Sequence, residues 1–486
     1  MTRTREQAAD LTGLWAVVGL LAGVEVASGV LQGYYTPVFS DIADSLRIAD
    51  GDVNWFEAAQ LVVAALAVPL LARLGDVWGH RNVLLLSTAV TALGSWVMAF
   101  APGFTTFLVG SALQGAYVVW LPLEIAIVYR RTAGHPQQGR LTRKAAALLV
   151  AALQLGVIAG ALTSGALVEA TSMRVLLSLP AVVVTLALLV IWFGVEHRPG
   201  ESSGGIDWPG LALVTLVLGL VMGGLVAVRL QGPGSPLAWS LVALGLLAVV
   251  PLVRVESETA EPLIDVRLLA TPGQWPVQLT ALLFGVSVLG AQIPLSTYAR
   301  SDPAVTGYGF GADAAFVSTL IGLYVVSLVV GALSLPLASR VLGPRGALVG
   351  AALLVSAGYA LWLPFHDTTG QGLLNMAVIG VGSGVLVAAL PVAAAAAAPP
   401  SRTGFATGMT NATKTIGGAI ASAVFAIALA STGSIDDPSA GAASLGGYLA
   451  VWSICSGTAL LAAVALLLSA RPRTAVDPGG ARNKSP

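Results

Sequence analysis

The sequence predicts an all-α membrane protein with fourteen transmembrane helices, because both its composition and the length of its apolar runs indicate this fold class. Hydrophobic residues make up 56% of the 486 residues and charged residues 10%, whereas a soluble domain carries about 25% charge. The apolar runs are about 20 residues long, the length that a helix needs to cross a bilayer core. Only helices or closed barrels satisfy every backbone group in lipid. Runs of this length exclude a barrel, whose strands are alternating segments of about ten residues.

The fourteen apolar runs are called helices 1 to 14 in chain order. The stretch before helix 1, Met1–Asp10, is short and polar. The first run is too long, and its flanks are wrong, for a cleaved signal peptide. The predicted helices cover residues 14–36, 55–73, 83–101, 104–129, 145–168, 175–194, 209–228, 236–253, 276–298, 314–336, 346–364, 371–397, 404–430 and 445–469.

Positive charges predict the orientation, because cytoplasmic loops of membrane proteins carry an excess of Lys and Arg. With the N-terminus inside, cytoplasmic segments hold 19 of the 24 Lys and Arg residues, and outer segments hold four. The remaining one, Lys414, lies in helix 13. We therefore expect a multi-pass protein of the cell inner (plasma) membrane with both termini in the cytoplasm.

A short internal repeat predicts the domain organisation. Asp76, Gly79 and Arg81 follow helix 2, and a charged residue, a glycine and an arginine recur at the same spacing in Ser339–Arg345 after helix 10. The simplest interpretation is two six-helix bundles, helices 1–6 and 9–14, with helices 7 and 8 inserted between them. The predicted units are residues 1–200, 201–270 for the inserted pair with its flanks, 271–470, and a disordered cytoplasmic tail at 471–486.

With this organisation, the sequence resembles the major facilitator superfamily, specifically its fourteen-helix drug:proton antiporter branch. Gly75–Arg81 resembles the signature loop between helices 2 and 3. Asp207–Gly210 resembles the segment that opens the inserted pair, and Pro262–Leu268 resembles the segment that follows it. Gly404–Gly418 resembles the pattern of helix 13 in this branch. The resemblance covers nearly the whole chain and is specific for the fold.

The resemblance implies the major facilitator fold and secondary active transport by alternating access, with no enzymatic reaction. It places Asp76, Gly79 and Arg81 in a cytoplasmic gate. The Asp76 carboxylate can act on the positive N-terminus of a neighbouring helix, and Arg81 can pair across the bundle. Contacts of this kind form in one conformational state and break in the other.

Three positions depart from the pattern of the branch. Ser111 stands where helix 4 usually has an arginine, three residues before Gln114-Gly115. Ala161 replaces the proline that usually follows Gly160 in helix 5. Ser28 lies nine residues before Pro37, where helix 1 usually has an aspartate. These departures leave the coupling ion and the direction of transport open.

Ionisable residues inside the helices are the first candidates for function, because a charge at mid-bilayer costs at least about 2.5–3.5 kcal/mol. Glu25 lies near the middle of helix 1, and Glu124 lies in helix 4 two residues after Pro122. Both are predicted to bind a cation or cycle a proton, and the alternative is a structural carboxyl. Lys414, in helix 13, is predicted to bind substrate or to pair with a buried glutamate, and the alternative is a structural charge.

Polar and aromatic residues within the helices are candidates for contacts with a small-molecule substrate. Each of them taken alone has packing as its alternative role. Glu57, near the outer end of helix 2, is interpreted as interfacial, and the acidic outer loop with Asp41, Asp44, Asp50 and Asp52 as solvated. The predicted substrate-binding residues are Glu25, Gln32, Tyr34, Gln60, Gln114, Tyr117, Trp120, Gln292, Tyr298, Asn411 and Lys414.

The leading hypothesis is a proton-coupled exporter of small hydrophobic or amphipathic compounds that works as a monomer in the lipid bilayer. A uniporter, an importer, or a natural-product exporter without proton antiport is the alternative within transport. A non-transporting membrane sensor is the alternative of another class. The zero net charge gives no signal for nucleic acid, and the four histidines lack metal-ligand partners at helical spacing. No cofactor and no metal are therefore expected.

Overall fold

The computed structural model describes residues 2–133, 135–197, 207–260, 262–399, 402–430 and 443–468. Within these ranges, 13 segments are long and apolar enough to cross a membrane. They contain fourteen membrane helices, because the 48-residue segment Ala314–Leu361 holds two helices that meet at Gly343. The predicted all-α membrane fold is confirmed, whereas the tail predicted at residues 471–486 lies outside the described residues.

Most of the membrane helices are longer than predicted. Helices 1 to 8 are Thr2–Tyr34, Asn54–Trp78, His80–Ala99, Phe104–Arg131, Gln138–Leu167, Met173–Gly194, Trp208–Gln231 and Pro236–Glu258. Helix 9 is Trp275–Arg300, helices 10 and 11 share Ala314–Leu361, and helices 12 to 14 are Thr369–Ala396, Thr403–Leu429 and Leu445–Leu468. The chain between helices 1 and 2 folds into the short elements Thr36–Val38, Phe39–Leu46 and Asp50–Val53.

Two membrane helices are interrupted where the sequence predicted continuous ones. Helix 4 passes through a 3₁₀ segment, Gly115–Val119. Pro122 follows it and has no N–H to donate to the carbonyl of Val118. Helix 9 ends its first piece at Val288 and resumes at Gln292. Proline accounts for this interruption as well, because Pro294 leaves the carbonyl of Gly290 without its helical donor.

The two copies of the repeat have the same geometry. Gly79 and Gly343 both have positive φ angles, 90° and 76°, which glycine adopts without a steric penalty. Arg81 donates to the carbonyls of Val195 and Trp192 at 2.5 and 2.7 Å, at the end of helix 6. Arg345 donates in the same way to the carbonyls of Leu466 and Leu467, at 2.6 and 2.9 Å, at the end of helix 14. Each arginine thus binds the last carbonyls of its own six-helix set.

Close backbone contact holds helix 1 against helix 5. A Cβ at Gly29 would lie 2.8 Å from Cα of Gly156, and one at Gly156 would lie 3.0 Å from Cα of Gly29. Only glycine fits at both positions, as is usual where membrane helices approach closely. This contact fixes the part of helix 1 that carries Glu25, which lies one turn before Gly29.

The two six-helix sets meet at one end of the molecule, which we call the closed end. The Arg300 guanidinium pairs with Asp41 at 2.7 Å, and Ser296 donates to the carbonyl of Thr36. Nearby, the Ser318 hydroxyl donates to the carbonyl of Ala161 at 2.7 Å. The prediction of a merely solvated acidic loop is wrong for Asp41, because residues 36–53 fold back over the helix ends and bring it to Arg300.

Helix 7 of the inserted pair lies against helix 2 of the first set and helix 13 of the second. Val214 and Leu218 pack in one apolar cluster with Ala65 and the flanking Ile416. Nearer the closed end, Val228 packs with Ile427. The inserted pair is therefore in contact with both six-helix sets.

A buried ion pair fastens helix 7 to the segment before helix 2. Arg229 Nε and Nη2 donate to the two carboxylate oxygens of Asp52 at 2.9 and 2.7 Å. The side chains are 1% and 0% exposed. The prediction of a solvated Asp52 is therefore also wrong, because helix 7 covers it.

A cavity between the two helix sets as the candidate functional site

An open cavity lies between the two helix sets, directly next to the closed end, and its empty space, including the part open to the surroundings, is about 640 Å³. Helices 1 to 4 supply most of its wall, residues 35–39 after helix 1 supply another part, and helix 9 contributes next to its interruption. The lining residues are Leu31, Gln32, Tyr35, Thr36, Phe39, Phe56, Glu57, Gln60, Leu61, Met98, Phe107, Ser111, Gln114, Tyr117, Leu289 and Gln292.

Gln114 organises the polar side of the cavity. Its amide nitrogen donates to the Tyr35 hydroxyl at 3.0 Å and to Ser95 Oγ at 2.9 Å. Its carbonyl oxygen accepts from the Gln60 amide nitrogen at 3.0 Å. Both N–H groups of Gln114 are therefore used inside the protein. The Tyr35 O–H and the Gln60 carbonyl oxygen remain available to a bound molecule, as a donor and an acceptor.

The interruption of helix 9 exposes Gln292 to the cavity, where it was predicted to contact substrate. Its amide nitrogen donates to the carbonyl of Val288 at 3.0 Å, so its carbonyl oxygen is available. Gln32, on helix 1, is also exposed in the cavity. Gln32, Gln60, Gln114 and Gln292 are thus four predicted substrate residues that the structure brings to one cavity.

Glu57 lines the same cavity, which its interpretation as an interfacial residue did not predict. It lies in the first turn of helix 2, and residues 36–53 fold over that end of the helix. Its Oε2 accepts a hydrogen bond from Ser422 Oγ of helix 13, at 3.2 Å. Glu57 therefore combines an acidic group in the cavity wall with a direct contact between the two helix sets.

Glu25 and Glu124 form a buried pair of carboxyl groups. Both residues are 0% exposed, and each carboxyl group has the other as its electrostatic neighbour. Among the described residues, none of their four oxygens has a hydrogen-bond partner. A hydrogen bond between two carboxyl groups requires a proton on one of them, and two carboxylates in contact do not both ionise. This arrangement can hold and release a proton.

Tyr117 lies between this carboxyl pair and the cavity. It belongs to the 3₁₀ segment of helix 4 and lines the cavity. Glu25 and Glu57 are both its acidic neighbours. Its ring also makes an edge contact with Trp120, with 6.2 Å between ring centroids. A movement of Tyr117 would therefore change both the cavity wall and the surroundings of the carboxyl pair.

Lys414 lies in the wall of the second helix set, half-buried on helix 13. It shares a helix face with Gly418 and Ser422, which are one and two turns further on. A Cβ at Gly418 would contact Leu61 and Leu289, which both line the cavity. Lys414 therefore lies one turn beyond the cavity wall. Among the described residues, no carboxylate forms an ion pair with it.

Four other predicted substrate residues lie outside the set that lines the cavity. Tyr34 is buried against helix 6, where its hydroxyl donates to the carbonyl of Leu176 at 2.8 Å. Tyr298 is buried in an aromatic cluster of the second set and donates to the carbonyl of His366 at 3.0 Å. Trp120 is fully buried, and Asn411 is half-buried on helix 13. The sequence showed their depth in the membrane and not the direction in which they face.

The predicted gate lies on the loop between helices 2 and 3. Gly79 and Arg81 shape this loop and fasten it to helix 6, as described above. The side chain of Asp76 lies outside the described part of the chain. The gating role of the three residues stays a prediction.

Apolar side chains of the cavity wall, Phe39, Phe56, Phe107 and Met98, were not predicted from the sequence. Phe56 packs against Phe107 with 4.5 Å between ring centroids, and Phe39 and Met98 complete the apolar wall. Apolar residues in a membrane helix carry no signal that separates a cavity from a lipid contact. Glu57 did carry such a signal, because the argument applied to Glu25 holds for any acidic residue inside the membrane.

A family model described as the Major Facilitator Superfamily matches residues 21–422. A cephamycin export protein from Amycolatopsis lactamdurans is 31% identical, over 80% of this chain and 79% of its own length. A puromycin resistance protein from Streptomyces alboniger is 27% identical, over 98% and 95% of the two chains. A uridine/deoxyuridine transporter from Lactococcus lactis is 25% identical, over 76% and 80%.

Solved structures share the fold at low sequence identity. A peptide transporter of the POT family in an auto-inhibited form aligns with a TM-score of 0.66 and 15% identity, over 96% of this chain and 99% of the other. A nucleoside transporter, NupG, aligns with a TM-score of 0.62 and 14% identity, over 93% and 99%. At these identities, the likeness concerns the fold alone.

Proposed function

We propose that this chain, which belongs to the Major Facilitator Superfamily of membrane transporters, exports small hydrophobic or amphipathic compounds in exchange for protons. The observation that carries the proposal is the contact between Glu25 and Glu124, buried next to a cavity that both helix sets line. A proton entering the pair and a compound entering the cavity would act on the same helices, 1 and 4.

In this mechanism, the carboxyl pair exchanges one proton in each transport cycle. An uncompensated charge inside the membrane is costly, so the pair favours a state in which it retains a shared proton. Opening of one side admits water, which lets the proton leave. Tyr117 links this step to the cavity, because it borders both sites. Export follows if the compound binds from the cytoplasm and the proton enters from outside.

The closed end is assigned to the outer side in this proposal, with both termini in the cytoplasm of the inner (plasma) membrane. The excess of Lys and Arg in the opposite loops supports this assignment. The structure then represents a state that is closed towards the outside, and Asp76, Gly79 and Arg81 belong to the cytoplasmic gate. The two six-helix sets, residues 1–200 and 271–470, would rock against each other within a monomer.

The names of two relatives support export, since one is a cephamycin export protein and the other a puromycin resistance protein. A specific observation also favours a second candidate, uptake or facilitated movement of a nucleoside. The uridine/deoxyuridine transporter is a relative at 25% identity, and Ala161 and Ser111 replace residues typical of the antiporter branch. Under this alternative, the compound moves and protons are not exchanged.

Proton flux linked to substrate in proteoliposomes tests the proposal. A pH-sensitive dye is sealed inside, and puromycin, a cephamycin, uridine and several lipophilic cations are added in turn. We expect at least one compound to release protons with the wild-type protein. Neither Glu25→Gln nor Glu124→Gln should support this release. Movement of a compound without protons would overturn proton antiport and favour the nucleoside candidate or another facilitated route. Movement of no compound would favour the sensor hypothesis.

A further inference from the structure

We propose that Asp207 and Glu256 form a proton-dependent latch at the end of the molecule opposite the closed end, which the proposed orientation places in the cytoplasm. Asp207 directly precedes helix 7, and Glu256 lies in the last turn of helix 8. The latch fastens the connecting segment, residues 262–268. A proton shared by the two carboxyl groups keeps the latch closed, and an alkaline cytoplasm opens it. The proposal goes beyond the proposed export function, because it concerns regulation and not the exchange of protons for a compound.

The two carboxyl groups of the latch lie side by side at Gly210. A Cβ at Gly210 would lie 2.4 Å from Glu256 Oε1 and 2.5 Å from Asp207 Oδ2, so the glycine leaves the space that both oxygens occupy. Glu256 is 1% exposed, and its Oε1 has no hydrogen-bond partner among the described residues. Asp207 is the charged neighbour of this carboxyl group. Two carboxylates in contact do not both ionise, so a proton between them stabilises the pair.

The same carboxyl groups hold the backbone of the connecting segment. Glu256 Oε2 accepts a hydrogen bond from the N–H of Ile264 at 3.0 Å, and Asp207 Oδ2 accepts one from the N–H of Leu263 at 3.3 Å. Asp207 Oδ1 also accepts from the N–H of Gly210 at 2.9 Å and caps helix 7. Loss of the shared proton places two like charges next to each other, which is unfavourable. Their repulsion moves a carboxylate away from its backbone donor and releases the segment.

The connecting segment joins the inserted pair to both six-helix sets. Leu263 and Ile264 pack in the apolar cluster that contains Ala65 of helix 2. Asp265 pairs with Arg402, which lies directly before helix 13, at 3.1 Å. Release of the segment therefore loosens the start of helix 13. It also weakens the contact of the inserted pair with helix 2, so the two sets are fastened less tightly to the insertion on this side.

Within the described part of the chain, no basic side chain forms an ion pair with either member of the latch. The exposed charged side chains at the end of helix 8 and in the connecting segment are Arg254, Glu258 and Arg267. On helix 13, Arg402 pairs with Asp265, and Lys414 lies on the face opposite Ile416, which packs in the apolar cluster. Arg73 of helix 2 has a contact of its own. The structural alternative is that both carboxylates merely accept backbone hydrogen bonds, a role that gives no dependence on pH.

Hydrogen exchange of the connecting segment at different pH values tests the proposal. The full-length protein in lipid nanodiscs is labelled with deuterium, and mass spectrometry follows the peptide that contains Leu263 and Ile264. Rates are corrected for the pH dependence of exchange in an unfolded peptide. We expect protection to fall by about tenfold or more from about pH 6 to about pH 9, because these amides open locally once the shared proton is lost. The matched control is Glu258→Gln, which changes an exposed glutamate at the end of helix 8 and should keep the behaviour of the wild type.

Two variants of similar shape should keep the latch closed. Glu256→Gln retains an acceptor for the N–H of Ile264, and Asp207→Asn retains the cap of helix 7. In each variant the new amide can donate to the remaining carboxylate without a titrating proton. Protection should therefore stay high at every pH, a result that a folding defect does not produce. Asp265→Asn should leave the pH dependence of the connecting segment intact and abolish it at the start of helix 13.

Two results would overturn the proposal. One is protection of the wild type that does not change with pH, and the other is a pH dependence that persists in both Glu256→Gln and Asp207→Asn. The assay needs no substrate and no proton gradient. A failure of proton flux linked to substrate would therefore overturn the export function and leave the latch standing.

Discussion

Arg229 of helix 7 and Asp52, just before helix 2, form a two-pronged ion pair in which neither side chain is more than 1% exposed. The pair joins the inserted helices to the segment that covers the closed end. Gly51 beside it packs on the end of helix 13, where an added Cβ would lie 2.8 Å from the carbonyl carbon of Leu429. One buried contact thus connects the insertion with the place where both helix sets meet.

Removal of one partner of this ion pair should destabilise the protein strongly. Arg229→Met leaves the Asp52 carboxylate buried without its main cation, and such a change typically costs about 3–5 kcal/mol. The free energy of unfolding, measured in mixed detergent micelles, checks this. Arg229→Met combined with Asp52→Leu should recover most of the loss. Arg174→Met is the control, since Arg174 has no ion pair within the described residues. A loss no larger than that of the control would show that the pair is solvated in the membrane.

The two buried glutamates should behave as one unit in transport. Glu25→Gln and Glu124→Gln should each abolish proton release linked to substrate, and the double variant should lose no more than either single variant. Groups that act together show this lack of additivity. The measurement is proton flux at saturating substrate, with Glu258→Gln as the matched control. Partial losses that add up in the double variant would mean two independent proton sites.

Gln114 should affect binding without touching the substrate. Gln114→Leu removes the bonds that position Tyr35 and Gln60, so we expect the apparent KM to rise by about tenfold, the value of one to two hydrogen bonds. The maximal rate should change little. Uptake into everted membrane vesicles over a range of substrate concentrations measures both quantities. Gln137→Ala, at an exposed position, is the control. An unchanged KM would place the binding site elsewhere.

A side chain at Gly165 should open the closed end. A Cβ there would lie in direct contact with Ser318 Oγ and 2.7 Å from the carbonyl oxygen of Ala314, so Gly165→Leu should push helices 5 and 10 apart. We expect transport by this variant to fall, because the state that is closed at this end is destabilised. Uptake into everted membrane vesicles measures the effect, with Gly219→Leu as the control, since a Cβ at Gly219 meets nothing within 4 Å. Unchanged transport by Gly165→Leu would show that the cycle does not need this contact.

The sequence predicted the helices well because the signal is local. A run of about 20 apolar residues identifies a membrane helix wherever its neighbours lie. The same locality explains why Glu25 and Glu124 were found as separate candidates and not as a pair. Their contact depends on how helices 1, 4 and 5 pack, and the glycines at Gly29 and Gly156 indicate close packing without naming the partner.

The position of Glu57 could not be predicted from the hydropathy of helix 2. Its distance from the end of helix 2 indicated an interfacial position. Residues 36–53 fold over that end and bury it. The apolar runs of the sequence give no indication of this fold. Tyr34 and Tyr298 show the reverse error. Both aromatic side chains were assigned to substrate from their depth, whereas each faces its own helix set and bonds to a carbonyl there.

Helix 7 covers the seam between helices 2 and 13 on the side that faces lipid. Its main contacts in the described residues are with helices 2, 8 and 13, so hydrocarbon on that side meets helix 7 and not the seam. On the other flank, helices 5 and 10 meet directly at Gly165 and Ser318, and their own surfaces face lipid there. Two six-helix sets built alike thus present unlike faces to lipid, one covered by helix 7 and one formed by helices 5 and 10 themselves.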